Sequence, residues 1–395
     1  MNATVQRTIA LAACFALASI AASWPTRTTR ADYIDPRAAA THRDQPETKM
    51  ANSFDQKAAA AYLDRRQVWW MAWPKAQRDH DTFCVSCHTA VPYALSRPAL
   101  RNGLAKQTPS ANEQRLLDNV TKRVRLWKEV APFYSDADRG AYKTVESRGT
   151  ESVLNALILA NHDAQNGQLS NDTRTALDNM WREQQTIGNK KGAWLWLRFN
   201  NEPWEADDSD YYGATIAAVA IGAAPANYRS APEIQNNLKM LREYLNREYA
   251  AQTPINRVAL LWAAAKIPGL IEPDRKKAII SELLEKQQPD GGWSLSSLSG
   301  KWKRSDGTPQ DANSDGYATG LITFALQQAG VSPENAQLKH GLLWLTANQE
   351  KTEGFWPAFS LNKNKEHHLS PETSLFMNDA ATAYAVLALT NVNRP

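Results

Sequence analysis

The sequence predicts an all-α protein built from a repeated pair of helices, and three observations carry that prediction. No run alternates apolar and polar residues at period two for long enough to demand a sheet. From about Phe54 to Pro395 one motif is used six times, pairing a longer amphipathic helix with a helix rich in alanine and small residues. Three of the amphipathic segments end in a related string of Gln, Gly and Trp.

The amphipathic helices are expected to begin near Asp55, Asn112, Asn171, Pro232, Pro273 and Pro333. Their alanine-rich partners fall at residues 84–100, 150–160, 209–223, 254–267, 314–329 and 378–391. Ahead of them, residues 1–23 read as a signal peptide: a short basic leader with Arg7, an apolar run over residues 8–22, and small residues at Ser19, Ala21 and Ser23. This predicts a periplasmic or secreted protein. Leu11-Ala12-Ala13-Cys14 also resembles a bacterial lipoprotein box, but ordinary cleavage is preferred over a lipid anchor at Cys14 because the apolar stretch before it is short. Residues 24–54 are polar and rich in Arg, Asp, Thr and Pro, the composition of a flexible linker, and residues 55–395 form the folded domain.

The Gln-Gly-Trp strings are specific enough to name a relative. Gln184-Gln185 runs into Gly192-Ala193-Trp194, Gln287-Gln288 into Gly291-Gly292-Trp293, and Gln349 into Gly354-Phe355-Trp356; a degenerate copy has Gln67 followed by Trp69, Trp70 and Trp73. In each, Gly permits a left-handed exit from the helix and Trp packs over the next one with its N–H available for bonding. The pattern resembles the QW repeat of the squalene-hopene cyclase and protein prenyltransferase superfamily. That resemblance implies an (α/α)6 toroid of about twelve helices, six inner ones enclosed by six outer ones. It does not imply the family's reactions. The string nearest to the cyclases' acid motif is Asp207-Asp208-Ser209-Asp210, whose order differs, and a prenyltransferase zinc site would want a cysteine that the chain uses elsewhere.

That use is Cys84-Val85-Ser86-Cys87-His88, the C-x-x-C-H signature of covalent c-type haem attachment. Two thiols three positions apart on one side of a helical turn can add to two haem vinyl groups, and the next residue brings an imidazole to the iron as proximal ligand. A zinc half-site would need a further ligand pair, and a redox dithiol would want a β-α-β setting. One haem c is therefore expected on Cys84, Cys87 and His88. If the repeats form a ring, the sixth inner helix neighbours the first. That makes Met377, His367 and His368 the distal-ligand candidates, beside an open or water-occupied position, ahead of His80 and Met71; His162 and His340 fall near the opposite end and His42 in the linker.

Acidic residues at the starts of the inner helices, Glu151, Asp210, Asp315 and Asp379, read first as helix caps. Asp210, Asp315 and Asp379 are also the catalytic candidates, should the ring mouth carry acid–base chemistry. With 43% hydrophobic and 22% charged residues the composition is that of a globular protein, and a formal charge of +4 with no long Lys/Arg cluster argues against nucleic acid. The functional expectation is an exported monohaem cytochrome c that transfers electrons to a redox partner protein. The alternatives are a haem-dependent oxidoreductase or peroxidase acting on an apolar, isoprenoid-like small molecule in the toroid cavity, or a haem-based ligand sensor. Whether the protein is an enzyme stays open at this point.

Overall fold

A computed structural model describes residues 54–105, 108–304, 306–361 and 373–391, which belong to one compact unit spanning residues 52–395. The helices are, in chain order, α1 (Gln56–Ala72), α2 (Ala90–Gly103), α3 (Ala111–Arg125), α4 (Asp136–Arg139), α5 (Lys143–Asp163), α6 (Asn171–Glu183), α7 (Asp210–Ala223), α8 (Ala226–Arg229), α9 (Gln235–Glu248), α10 (Pro254–Lys266), α11 (Pro273–Glu285), α12 (Gly316–Gln328), α13 (Ala336–Ala347) and α14 (Phe376–Asn391). Between α1 and α2 lies a small antiparallel hairpin, β1 (Gln77–Arg78) and β2 (Thr82–Phe83).

The inner helices close on themselves. In turn α2 packs on α5, α5 on α7, α7 on α10, α10 on α12, α12 on α14, and α14 back on α2, while α1, α3, α6, α9, α11 and α13 pack on the outside. The described residues thus form an (α/α)6 toroid of twelve helices, with α4 and α8 as single turns between them. Composition explains the two layers. Every residue of α7 from Asp210 to Gly222 is buried, and so is every residue of α12 from Gly316 to Leu326, as expected for helices enclosed on all sides. Small residues let them approach closely: a Cβ at Gly320 would stand 2.7 Å from the backbone nitrogen of Ala385 in α14.

The Gln-Gly-Trp strings hold the outer layer together. Gln184, Gln287 and Gln349 each donate to the carbonyl of the glycine in their own string, at 3.0, 2.8 and 2.9 Å. Each also donates to the next outer helix, at the carbonyls of Asn237, Gln337 and Asp55. The indole N–H groups of Trp194, Trp293 and Trp356, all fully buried, donate back to the outer helix before them, at Met180, Leu283 and Leu345 (2.6–2.7 Å). Because Gln349 bonds Asp55 across 294 positions of sequence, the third string is the seam that closes the ring. Gly192, Gly291 and Gly354 all have positive φ (95°, 88° and 83°), where a side chain is strained.

The bore is filled rather than open. From the His88 end a chain of ring contacts runs His88–Trp204 (5.7 Å), Trp204–Tyr317 (5.6 Å), Tyr317–Tyr384 (5.6 Å), Tyr384–Trp262 (6.3 Å) and Trp262–Phe324 (5.5 Å). Separate cavities lie at its two ends. One, of about 390 Å³, lies among the C-terminal ends of all six inner helices and includes Asn102, Asn161, Val219, Trp262, Phe324 and Leu387. The other surrounds His88.

Candidate functional site

The segment carrying Cys84, Cys87 and His88 is not helical, as the spacing had suggested. Residues 84–86 follow β2 without regular secondary structure, and residues 87–89 form a turn that leads into α2. The local sequence explains the difference. Ser86 accepts hydrogen bonds at Oγ from the backbone N–H groups of Thr89 and Ala90 (3.2 and 3.0 Å), so the helix is capped just after His88. Upstream, the Asn119 side chain brackets Phe83, accepting from its N–H and donating to its carbonyl (2.8 and 3.0 Å). The indole of Trp70 donates to the Cys84 carbonyl at 2.6 Å. In the degenerate repeat, then, a Trp serves the cysteine segment instead of the outer helix.

Both thiols and the imidazole line one cavity of about 340 Å³, together with Trp70, Trp73, Tyr134, Phe199 and Phe376, and with Asn201, Glu205, Arg139 and Lys75. Its volume lies in the range of small-molecule sites. Cys84 and Cys87 are buried free thiols; burial pushes the Cys84 thiol up to about 12 and that of Cys87 well above its ordinary value. His88 is buried, stacked on Phe376 at 3.6 Å and 23°, with Trp70 edge-on at 5.1 Å. Its Nδ1 lies 3.0 Å from Thr89 Oγ1.

The remaining candidates are dispersed. Met377 is buried, but Phe376, not Met377, forms the cavity wall. His367 and His368 lie outside the described residues, as does His42. His80 sits in the β1–β2 turn bonded to Asp79, Met71 is buried in α1, His162 is in the last turn of α5, and His340 packs against Gly291.

None of Asp210, Asp315 and Asp379 lines the cavity. Asp315 caps α12, accepting from the N–H groups of Tyr317 and Ala318 (both 2.9 Å) and holding Leu295 N–H at 2.5 Å. Asp210 accepts from Trp196 N–H at 3.0 Å and pairs with Lys190 and Arg198. In the sixth repeat Asn378 does the same for Ala358 N–H, at 2.9 Å. These three acceptors hold the residue two places after Trp194, Trp293 and Trp356, a structural duty that the capping reading anticipated only in part. The hydroxyls of Thr319 and Thr382, accepting from Trp293 and Trp356 N–H, were not foreseen at all; a Thr four residues after Asp315 or Asn378 was the available signal.

Burial pushes the Asp315 carboxyl up to about 7, against its backbone donors. An aspartate in the unfolded chain ionises near 3.8. Between these values the folded state holds a proton that the unfolded state has lost, so stability declines as pH rises through this window. Thermal melts of the wild type are expected to shift downward from pH 4 to pH 7, and Asp315→Asn is expected to remove that component; an unchanged slope in the variant would reject it.

Asp379 is the exception among the acidic starts. Its Oδ1 accepts from Arg66 Nε at 2.7 Å and from Tyr62 OH at 2.9 Å, and its Oδ2 from Thr89 Oγ1 at 2.7 Å. Burial raises its carboxyl, while the Arg66 guanidinium and the three donors pull it back down.

No family model matches the chain, and no curated protein matches it. Among solved structures, one described as "Glycosidase Wild Type" is similar at 15% identity and TM-score 0.47, covering 87% of this chain and 100% of that one. The GH76A alpha-1,6-mannanase from Salegentibacter sp. HEL1_6 is similar at 11% identity and TM-score 0.48, covering 85% of this chain and 100% of that one. The expected function is corrected at this point. Among the described residues, no group of three or more His, Cys, Asp or Glu side chains converges to hold a metal ion. The electron-carrier, haem-oxidoreductase and haem-sensor readings are set aside. Among the described residues, no helix is long and apolar enough to cross a membrane.

Proposed function

We propose that the cavity around His88 is the working site of this protein and that it binds a flat, largely apolar prosthetic group, one haem c, held through Cys84 and Cys87 with His88 facing the iron. The observation that supports this is the convergence of both thiols and the imidazole on one cavity with aromatic walls.

The residues fit such a group. Both cysteines are free and buried, so each thiol is available for a thioether bond to a haem vinyl group. Trp73, Tyr134, Phe199 and Phe376 offer apolar faces, and Lys75 and Arg139, both exposed, supply positive charge at the rim for carboxylates. Phe376 covers the face of the His88 ring, whereas a metal–imidazole bond lies in the ring plane, so the stacking orients the imidazole without blocking it. Bound there, the haem supplies an iron centre with one protein imidazole; Trp70, through the Cys84 carbonyl, and Ser86, through the turn, keep the attachment segment in place. The same reading has residues 1–23 direct export to the compartment where haem is attached.

Glycoside hydrolysis uses two carboxyl groups flanking the bond. Among the described residues lining this cavity Glu205 is the one carboxylate, which favours the haem reading over a saccharide one. The full chain expressed with a cytochrome c maturation system is expected to carry one haem that resists acid–acetone extraction, and Cys84→Ala/Cys87→Ala to lack it. Haem-free protein, or haem released by the extraction, would overturn the proposal. Cleavage of α-1,6-mannan by the same haem-free preparation would assign the cavity to saccharides instead.

A further inference from the structure

We infer that Thr89 and Asp379 are positioning residues that place the proton of His88 on Nδ1 and direct its Nε2 lone pair toward the cavity. The inference rests on the proposed site, while its hydrogen-bond logic does not depend on haem.

The direction of each bond follows from its donors. Arg66 can only donate, and it reaches Asp379 Oδ1 at 2.7 Å, beside Tyr62 OH at 2.9 Å, so the carboxylate acts as acceptor. The one hydroxyl hydrogen of Thr89 is then given to Asp379 Oδ2 at 2.7 Å. The Thr89 oxygen, 3.0 Å from His88 Nδ1, is left to accept, and a neutral imidazole that donates at Nδ1 carries its lone pair at Nε2. A carboxylate acting through an oriented hydroxyl also raises the basicity of the ring, as the outer-shell partner of a metal-bound histidine does.

Comparison of the repeats separates this duty from simple capping. Asp210 and Asp315 hold the N–H groups of Trp196 and Leu295. In the sixth repeat Asn378 takes that task with Ala358, so Asp379, one residue later, has no loop to hold. It faces α1 and the Cys84–His88 turn instead. It thus ties α14 to α1 through Arg66 and Tyr62 and, unlike its counterparts, also reaches the cysteine segment through Thr89.

The test is the tautomer of His88 in the full chain labelled with 15N-histidine, with Thr89→Val and Thr89→Ser as variants. Without haem, the wild type and Thr89→Ser are expected to show a protonated Nδ1, and Thr89→Val to shift the proton toward Nε2. In haem-loaded protein, Thr89→Val is expected to lower the iron–histidine stretching frequency, with Thr89→Ser restoring it. A wild type protonated at Nε2, or a Thr89→Val protein indistinguishable from wild type by both readouts, would overturn the inference. Should Thr89→Val fail to fold, the wild-type tautomer decides alone. Protein that acquires no haem from the maturation system yet shows the expected tautomer would count against the proposed cofactor and leave this assignment standing.

Discussion

Glu151→Ala is expected to destabilise the toroid by roughly 3–5 kcal/mol, the cost of stranding a buried charge by removing its partner. Arg123 and Glu151 are both fully buried and form a bidentate pair, Nε to Oε1 at 2.6 Å and Nη2 to Oε2 at 3.1 Å. The guanidinium also donates to Thr82 Oγ1 (2.6 Å) and the Ala131 carbonyl (2.7 Å), so one side chain ties α3 and α5 to the strand that runs into Cys84. Losing Glu151 therefore loosens the entry to the site as well as the core. Urea unfolding measures the first effect, and the fraction of chains that acquire haem measures the second. Since a pair replaced by hydrophobes of similar volume is often tolerated, Arg123→Met/Glu151→Leu is expected to recover part of the stability. A Glu151→Ala cost below about 1 kcal/mol, the scale of a surface pair, would show that the pair does not sit in the low-dielectric setting described.

Trp356→Ala is expected to cost roughly 3–5 kcal/mol, the usual range for truncating a buried Trp or Phe. Its indole is completely buried, donates to the Leu345 carbonyl at 2.7 Å, and meets Phe54 at 5.8 Å; its backbone N–H is held by Thr382. What distinguishes it from Trp194 and Trp293 is its position. Its string joins the last outer helix to the first through Gln349 and Asp55, so its loss opens the seam and separates α1 from α13. Limited proteolysis should cut Trp356→Ala first near residues 54–72 or 348–358, whereas Trp293→Ala should be cut near its own loop. Equal cleavage patterns in the two variants would argue that the seam is no weaker than the other joints.

Much of this architecture is legible from the chain because it is periodic. Six alanine-rich segments can only be helices enclosed on all sides, and the spacing of Gln, Gly and Trp repeats the same three hydrogen bonds around the ring. The cysteine segment was misjudged locally for a definable reason. The C-x-x-C spacing suits a helical turn, but Ser86 captures the N–H groups of Thr89 and Ala90 and starts the helix two residues after His88. The filled bore was equally out of reach, since it depends on Trp204, Tyr317, Tyr384 and Trp262 coming from distant repeats to meet on one axis.

Asp210, Asp315 and Asp379 show most clearly where sequence reasoning stops. All three stand near the start of an inner helix, and by position alone they are equivalent. The sequence by itself determined the helices, their pairing, and the clustering of two thiols and an imidazole within five residues, because each depends on short-range spacing. Only the tertiary structure decided that Asp379 is joined to Thr89 and His88 while its counterparts hold loops. A buried carboxylate takes its role from the donors that surround it, and those donors, Tyr62 and Arg66, lie more than 300 residues away in sequence.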